Sequence, residues 1–91
     1  MADGKEASFW LGGEMKPGVK FSLWSNASRG PVDYRIRRKS GSVLKKWSAM
    51  KKFSGGGARF CAFETLKAGD YEFDFRIGQD VFSALKLLLG R

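Results

Sequence analysis

Apolar and polar residues alternate with a period of two along most of this chain. The clearest run is Tyr71-Glu72-Phe73-Asp74-Phe75-Arg76-Ile77. Tyr71, Phe73, Phe75 and Ile77 share one face, and Glu72, Asp74 and Arg76 share the other. Residues 19–24 repeat the pattern with Val19, Phe21 and Leu23 inward and Trp24 outward, and residues 32–37 repeat it with Val32, Tyr34 and Ile36 inward. Antiparallel strands with one dry and one wet face read this way. Weaker strands are predicted at 7–11, 42–47 and 59–64.

Turn chemistry separates these runs. Pro17-Gly18, the Asn, Ser, Gly and Pro cluster over 25–31, Lys39-Ser40-Gly41 and Lys67-Ala68-Gly69-Asp70 all read as turns. Ser54-Gly55-Gly56-Gly57 predicts a flexible loop, because consecutive glycines lose much backbone entropy on ordering. The segment 81–89 has two readings. As a helix it takes Asp80 as N-cap, buries Val81, Phe82, Leu85, Leu88 and Leu89, and stops at Gly90. As a strand it follows an immediate reversal at Gly78-Gln79-Asp80, and the many neighbouring strands favour that reading. Six to seven short strands predict an all-β fold, a small antiparallel β-sandwich of immunoglobulin-like or jelly-roll type, in a single domain over 1–91. The hydrophobic share of 43%, with eight Phe, three Trp and two Tyr, is enough to fill its core.

The positive charge is unevenly distributed. Between Arg29 and Lys52 lie nine of the 17 basic residues and, of the nine acidic ones, only Asp33, so this quarter of the chain carries the whole net charge of +8. A localised field of this kind suits an anionic partner; it also suits a solvated face that resists edge-to-edge pairing. The N-terminal residues 1–6 are polar and lead into no apolar core of a secretory signal. The longest leucine run, Leu87-Leu88-Leu89, is far short of the roughly 20 residues of a membrane span. With the single cysteine Cys61 excluding an internal disulfide, a cytoplasmic or virion-associated setting is favoured.

The chain has no histidine. That removes the commonest general acid–base, the commonest metal ligand and every Ser-His or Cys-His pair. A zinc site of finger or ribbon type is excluded, and neither an enzyme nor a cofactor or metal is expected. Glu72 and Asp74 stand side by side on the wet face of a strand and read best as part of a solvated face paired across to Lys or Arg. Cys61, within Phe60-Cys61-Ala62-Phe63, reads as a small buried filler.

Binding chemistry concentrates in one predicted hairpin. Arg35 and Arg37 project outward from the strand at 32–37, Arg38 and Lys39 follow, and after the turn the chain returns through Lys45 and Lys46 to Trp47, with Lys51 and Lys52 beyond. Cations beside an aromatic ring suit single-stranded nucleic acid, and guanidinium forks suit the sulfate or carboxylate of an acidic glycan. Trp47 and Trp24 are the candidate stacking residues, with Trp10 and Trp24 raising a carbohydrate-binding alternative.

Two runs also carry a resemblance. Leu66-Lys67-Ala68-Gly69-Asp70-Tyr71-Glu72-Phe73-Asp74-Phe75-Arg76 resembles the penultimate strand of many bacterial and phage immunoglobulin-like or jelly-roll modules. Val32-Asp33-Tyr34-Arg35-Ile36-Arg37-Arg38-Lys39-Ser40-Gly41 is similar to a strand of pre-peptidase C-terminal domains. The resemblance implies a sandwich that binds extracellular polymers or serves as an accessory module. The functional expectation is a non-catalytic domain that engages an anionic polymer, nucleic acid or acidic glycan, through Arg35, Arg37, Arg38, Lys39, Lys45, Lys46, Lys51 and Lys52. The alternatives are a structural or interaction subunit of an assembly such as a virion, as a homo-oligomer or with another partner, and a carbohydrate-binding module.

Overall fold

Each alternating run becomes a strand whose apolar set faces a second sheet. A computed structural model describes residues 7–90, at Ala84 the backbone alone; the polar stretch 1–6 lies outside the described residues. The strands are β1 (Phe9–Gly12), β2 (Phe21–Ser25), β3 (Val32–Arg38), β4 (Val43–Ala49), β5 (Lys51–Gly55), β6 (Ala58–Glu64), β7 (Gly69–Ile77) and β8 (Asp80–Leu89). They form two antiparallel four-stranded sheets, ordered β1-β2-β6-β5 and β4-β3-β7-β8. With the strands lettered A, B, C, C′, D, E, F and G, this is the ABED and C′CFG order of an immunoglobulin-like sandwich.

The inward sets of both sheets make one apolar cluster, with Phe21, Leu23, Ile36, Phe73, Phe75 and Leu89 at its centre. Phe21 of β2 meets Phe73 of β7 edge to face at 6.2 Å, and Phe9 of β1 stacks on Phe75 at 3.9 Å. The Tyr71 hydroxyl donates to the Lys67 carbonyl at 2.8 Å. This ties the start of β7 to the turn before it, as the tyrosine corner does in immunoglobulin-like domains. Phe73, two residues on, takes the place that a disulfide cysteine holds in antibody domains, and its contact with Phe21 joins the sheets instead.

Two expectations are corrected or resolved. Among the described residues the strands number eight, against six to seven expected, because β5 is a strand with no apolar alternation. Both faces of Lys51–Gly55 are exposed, and the segment is ordered by pairing with β6. Ser54 and Gly55 therefore belong to a strand, and only Gly56 and Gly57 form the turn, at φ of +57° and +83° that suit a two-residue hairpin. The segment 81–89 is a strand, paired with β7 from Ile77↔Asp80 to Gly69↔Leu89. The helix would have buried Leu88, which as part of β8 is 75% exposed.

β4 and β5 are successive edge strands of opposite sheets. Met50 links them, with its side chain buried and its N–H on the Val32 carbonyl at 2.9 Å. The chain from Val43 to Gly55 thus runs along one margin of the sandwich, crossing from one sheet to the other. Among the described residues no helix is long and apolar enough to cross a membrane.

Candidate functional site

The antiparallel register of β3 and β7 decides the fate of the predicted arginines. It sets Asp33 opposite Arg76, Arg35 opposite Asp74 and Arg37 opposite Glu72. All three pairs close as ion pairs, at 2.8, 2.7 and 2.9 Å. Arg37 also reaches diagonally to Asp74, its Nε 2.6 Å from one carboxylate oxygen and its Nη2 2.9 Å from the other. Ser83 of β8 donates to Asp74 Oδ1 at 2.9 Å. Asp74 is wholly buried on this outer face beneath the groups that hold it. Burial alone would raise its carboxyl, but hydrogen bonds from Arg37, Arg35 and Ser83 outweigh it and hold the group below the usual carboxylate range. The Arg37 guanidinium is in turn raised, first by its hydrogen bond to Asp74.

Trp47 lies over this network. The guanidinium carbons of Arg35 and Arg76 stand 4.6 and 4.4 Å from its ring, so the indole holds two cations in place. Bulges in β4 place Trp47 on that face and turn Lys45 elsewhere, since Lys45 is registered with the inward Ile36. Its Nζ is 2.6 Å from Glu64. Glu64 also accepts from the Tyr34 hydroxyl, which is raised above the ordinary phenol range by burial and then by this carboxylate. Lys39 sits 3.9 Å from Asp70, and Arg38 reaches the Ser42 hydroxyl.

The eight expected anion-binding residues therefore divide. Arg35, Arg37, Lys39 and Lys45 face carboxylates, whereas Arg38, Lys46, Lys51 and Lys52 have no carboxylate within ion-pair distance among the described residues. The hairpin at 32–47 forms as expected, but it does not present two rows of uncommitted cations. Trp47 and Trp24 lie on different sheets and do not form one stacking site.

The first sheet has a different outer face. Trp10, Trp24, Cys61 and Lys51 are successive cross-strand neighbours from β1 to β5. The Trp24 ring meets Phe53 of β5 edge to face at 5.0 Å, bridging β6 between them and leaving Cys61 buried. Cys61 is thus a buried filler, as expected, but beneath outer-face rings. Trp24 Nε1 donates to Ser22 Oγ at 2.7 Å, and Ser22 Oγ donates to the Gly12 carbonyl. A side chain at Gly12 would meet Ser22 Oγ at 2.9 Å and Trp24 Nε1 at 3.0 Å, so it would displace the hydroxyl and indole that hydrogen-bond there.

Three further rings of this face are open to solvent: Phe63 at 55%, Phe53 at 40% and Trp10 at 37%. Lys20 holds its ammonium 5.8 Å from the centre of the Phe63 ring, and Arg59 and Lys51 project from β6 and β5. The described carboxylates lie elsewhere. Those of Asp33, Glu72 and Asp74 are on the other sheet, Glu64 is in the inward set of β6, and Glu14, Asp70 and Asp80 pair with Lys16, Lys39 and Arg29. Phe53, Phe63, Arg59 and Lys20 did not emerge from the sequence as site residues. For two of them a signal was present, because alternation in the run 59–64 puts Arg59, Cys61 and Phe63 on one side.

At the β5–β6 end this face adjoins an open cleft of about 660 Å³ between the β2–β3 loop and the β5–β6 hairpin. Arg29, Lys52 and Arg59 line it together with Phe53, and Arg29 also bridges to Asp80 at 3.3 Å. Among the described residues no group of His, Cys, Asp or Glu is placed to hold a metal ion. Comparison with protein-family models, with curated proteins and with solved structures finds no match.

Proposed function

We propose that this domain is a non-catalytic binding module for an anionic polymer. Its contact surface is the β4–β5 margin and the adjoining outer face of the first sheet. One observation carries this reading: the cations separate by partner. Arg35, Arg37, Lys39 and Arg76, on the second sheet and its rim, are neutralised within the fold. Lys46, Lys51 and Lys52 lie along one margin, Lys20 and Arg59 lie on the adjoining face, and no described carboxylate opposes them. Cations left uncompensated in one region attract polyanions and release their counterions on contact.

The test is fluorescence anisotropy with two labelled probes, a 20-mer of deoxythymidine and a sulfated heparin fragment, over a range of sodium chloride. At least one probe should bind, with an affinity that falls steeply with salt. Lys51→Glu/Lys52→Glu should weaken it and flatten the salt slope by about two. Failure of both probes to bind at low salt overturns the reading.

A further inference from the structure

Resting on that reading, we propose that the polymer is single-stranded nucleic acid, with its bases on the open rings of the first sheet and its phosphates on the surrounding cations. Among the described residues this face lacks uncommitted directional polar groups. Its central polar side chain, Ser22, is buried, donates its one proton to the Gly12 carbonyl and accepts from Trp24 Nε1. The Trp24 indole N–H is likewise used. No described carboxylate is present to accept from sugar hydroxyls. A face built for a glycan needs such directional groups, since hydroxyls are read by hydrogen bonds.

What the face does offer is rings and charge. Trp10 and Phe53 mark its two edge strands, three inter-strand spacings apart, about 14 Å. Phe63, the most open ring, stands on β6 between them. Lys20, Lys51 and Arg59 flank these rings. Every base has a flat π-face, and a phosphate accompanies each one, so open rings with cations beside them match a splayed single strand. A duplex keeps its base faces stacked inside and offers a flat sheet only its backbone. A sulfated glycan supplies the charge but no ring faces for Phe63 and Phe53.

The test compares deoxythymidine 20-mer, the same length of duplex DNA and a heparin fragment on the intact chain, at one salt concentration. The 20-mer should bind at least tenfold more tightly than either other probe and should quench tryptophan fluorescence. Phe63→Ala should weaken the 20-mer about tenfold and leave heparin binding unchanged, while Lys51→Ala should weaken both. An unaltered urea midpoint for Phe63→Ala shows that the fold is intact, as expected for so exposed a ring. Equal binding of 20-mer and heparin, or a 20-mer affinity indifferent to Phe63→Ala, overturns this inference and leaves the anionic-polymer reading standing. So does a dimer in sedimentation that Phe63→Ala dissolves while the 20-mer does not bind. If neither probe binds, both readings fall.

Discussion

Arg37 on β3 grips Asp74 on β7 with a two-pronged fork, Nε at 2.6 Å and Nη2 at 2.9 Å, and the carboxylate it holds is wholly buried. Two residues of the run that dominates the chain's charge are therefore spent inside the fold. Arg35, the other, binds the same carboxylate at 2.7 Å. The apparent anion-binding strand is one half of a cross-strand ionic ladder, and the other half is the acidic face of β7.

Removing the centre of that ladder leaves guanidinium groups facing each other without their shared anion. Asp74→Asn is expected to lower the unfolding free energy by about 3 kcal/mol, the range for breaking a buried ion pair from one side. Urea denaturation followed by far-ultraviolet circular dichroism measures it. A loss below about 0.5 kcal/mol, the scale of an exposed pair, contradicts the assignment.

The same carboxylate sets a pH dependence. Its folded pKa is depressed, so the unfolded chain takes up the proton first as acid is added. The stabilisation is complete above the ordinary aspartate range near 3.9 and is lost as pH falls through the lower folded value. Urea midpoints should be level from pH 7 to about 5 and fall below about 4. The wild-type fall should be steeper than that of Asp74→Asn.

Trp47→Ala removes the ring held between Arg35 and Arg76. Stability should drop by about 1–2 kcal/mol, the sum of two partly exposed cation–π contacts. Polymer affinity should stay within a factor of two, because Trp47 is on the sheet that carries the ladder. A thermal melt and an anisotropy titration on one preparation separate the two effects.

Tyr71→Phe deletes the hydroxyl that closes on the Lys67 carbonyl and should cost about 1 kcal/mol. Phe73→Ala, at a wholly buried ring against Phe21, should cost about 3–5 kcal/mol. Equal losses in the two variants would refute the view that the inter-sheet rings, more than the corner, hold the sandwich shut.

Cys61 lies under the rings of the first sheet's outer face. Its reaction with Ellman's reagent should be slow in the native chain and complete on unfolding. Trp24→Ala opens the cover made with Phe53 and should raise the native rate severalfold. An unchanged rate would show that another group shields the thiol.

Most strands were legible because one face of each is buried, which imprints a period of two on Tyr71, Phe73, Phe75 and Ile77 and their counterparts. β5 was not, because an edge strand exposed on both faces needs no apolar residues and is held by backbone pairing alone. The candidate site was legible only in outline. Trp24 was correctly placed outward, and Glu72 and Asp74 do pair across to arginines, but Asp74 is buried rather than solvated and Phe53 and Phe63 were not singled out as site residues.

Strand alternation, the absence of histidine and the confinement of the net charge to one quarter of the chain can all be read from the order of residues alone. Alternation and composition are local properties, and a reader needs only neighbouring positions to see them. Which cations remain uncompensated was decided by the tertiary structure. The register of β3 against β7 sets Arg35 and Arg37 beside carboxylates more than 30 residues away, and the crossing at Met50 carries Lys51 and Lys52 onto the other sheet. Coulomb attraction falls with distance in space and is blind to distance along the chain, so folding alone decides that, among the described residues, Arg35 and Arg37 are neutralised while Arg38, Lys46, Lys51 and Lys52 are not.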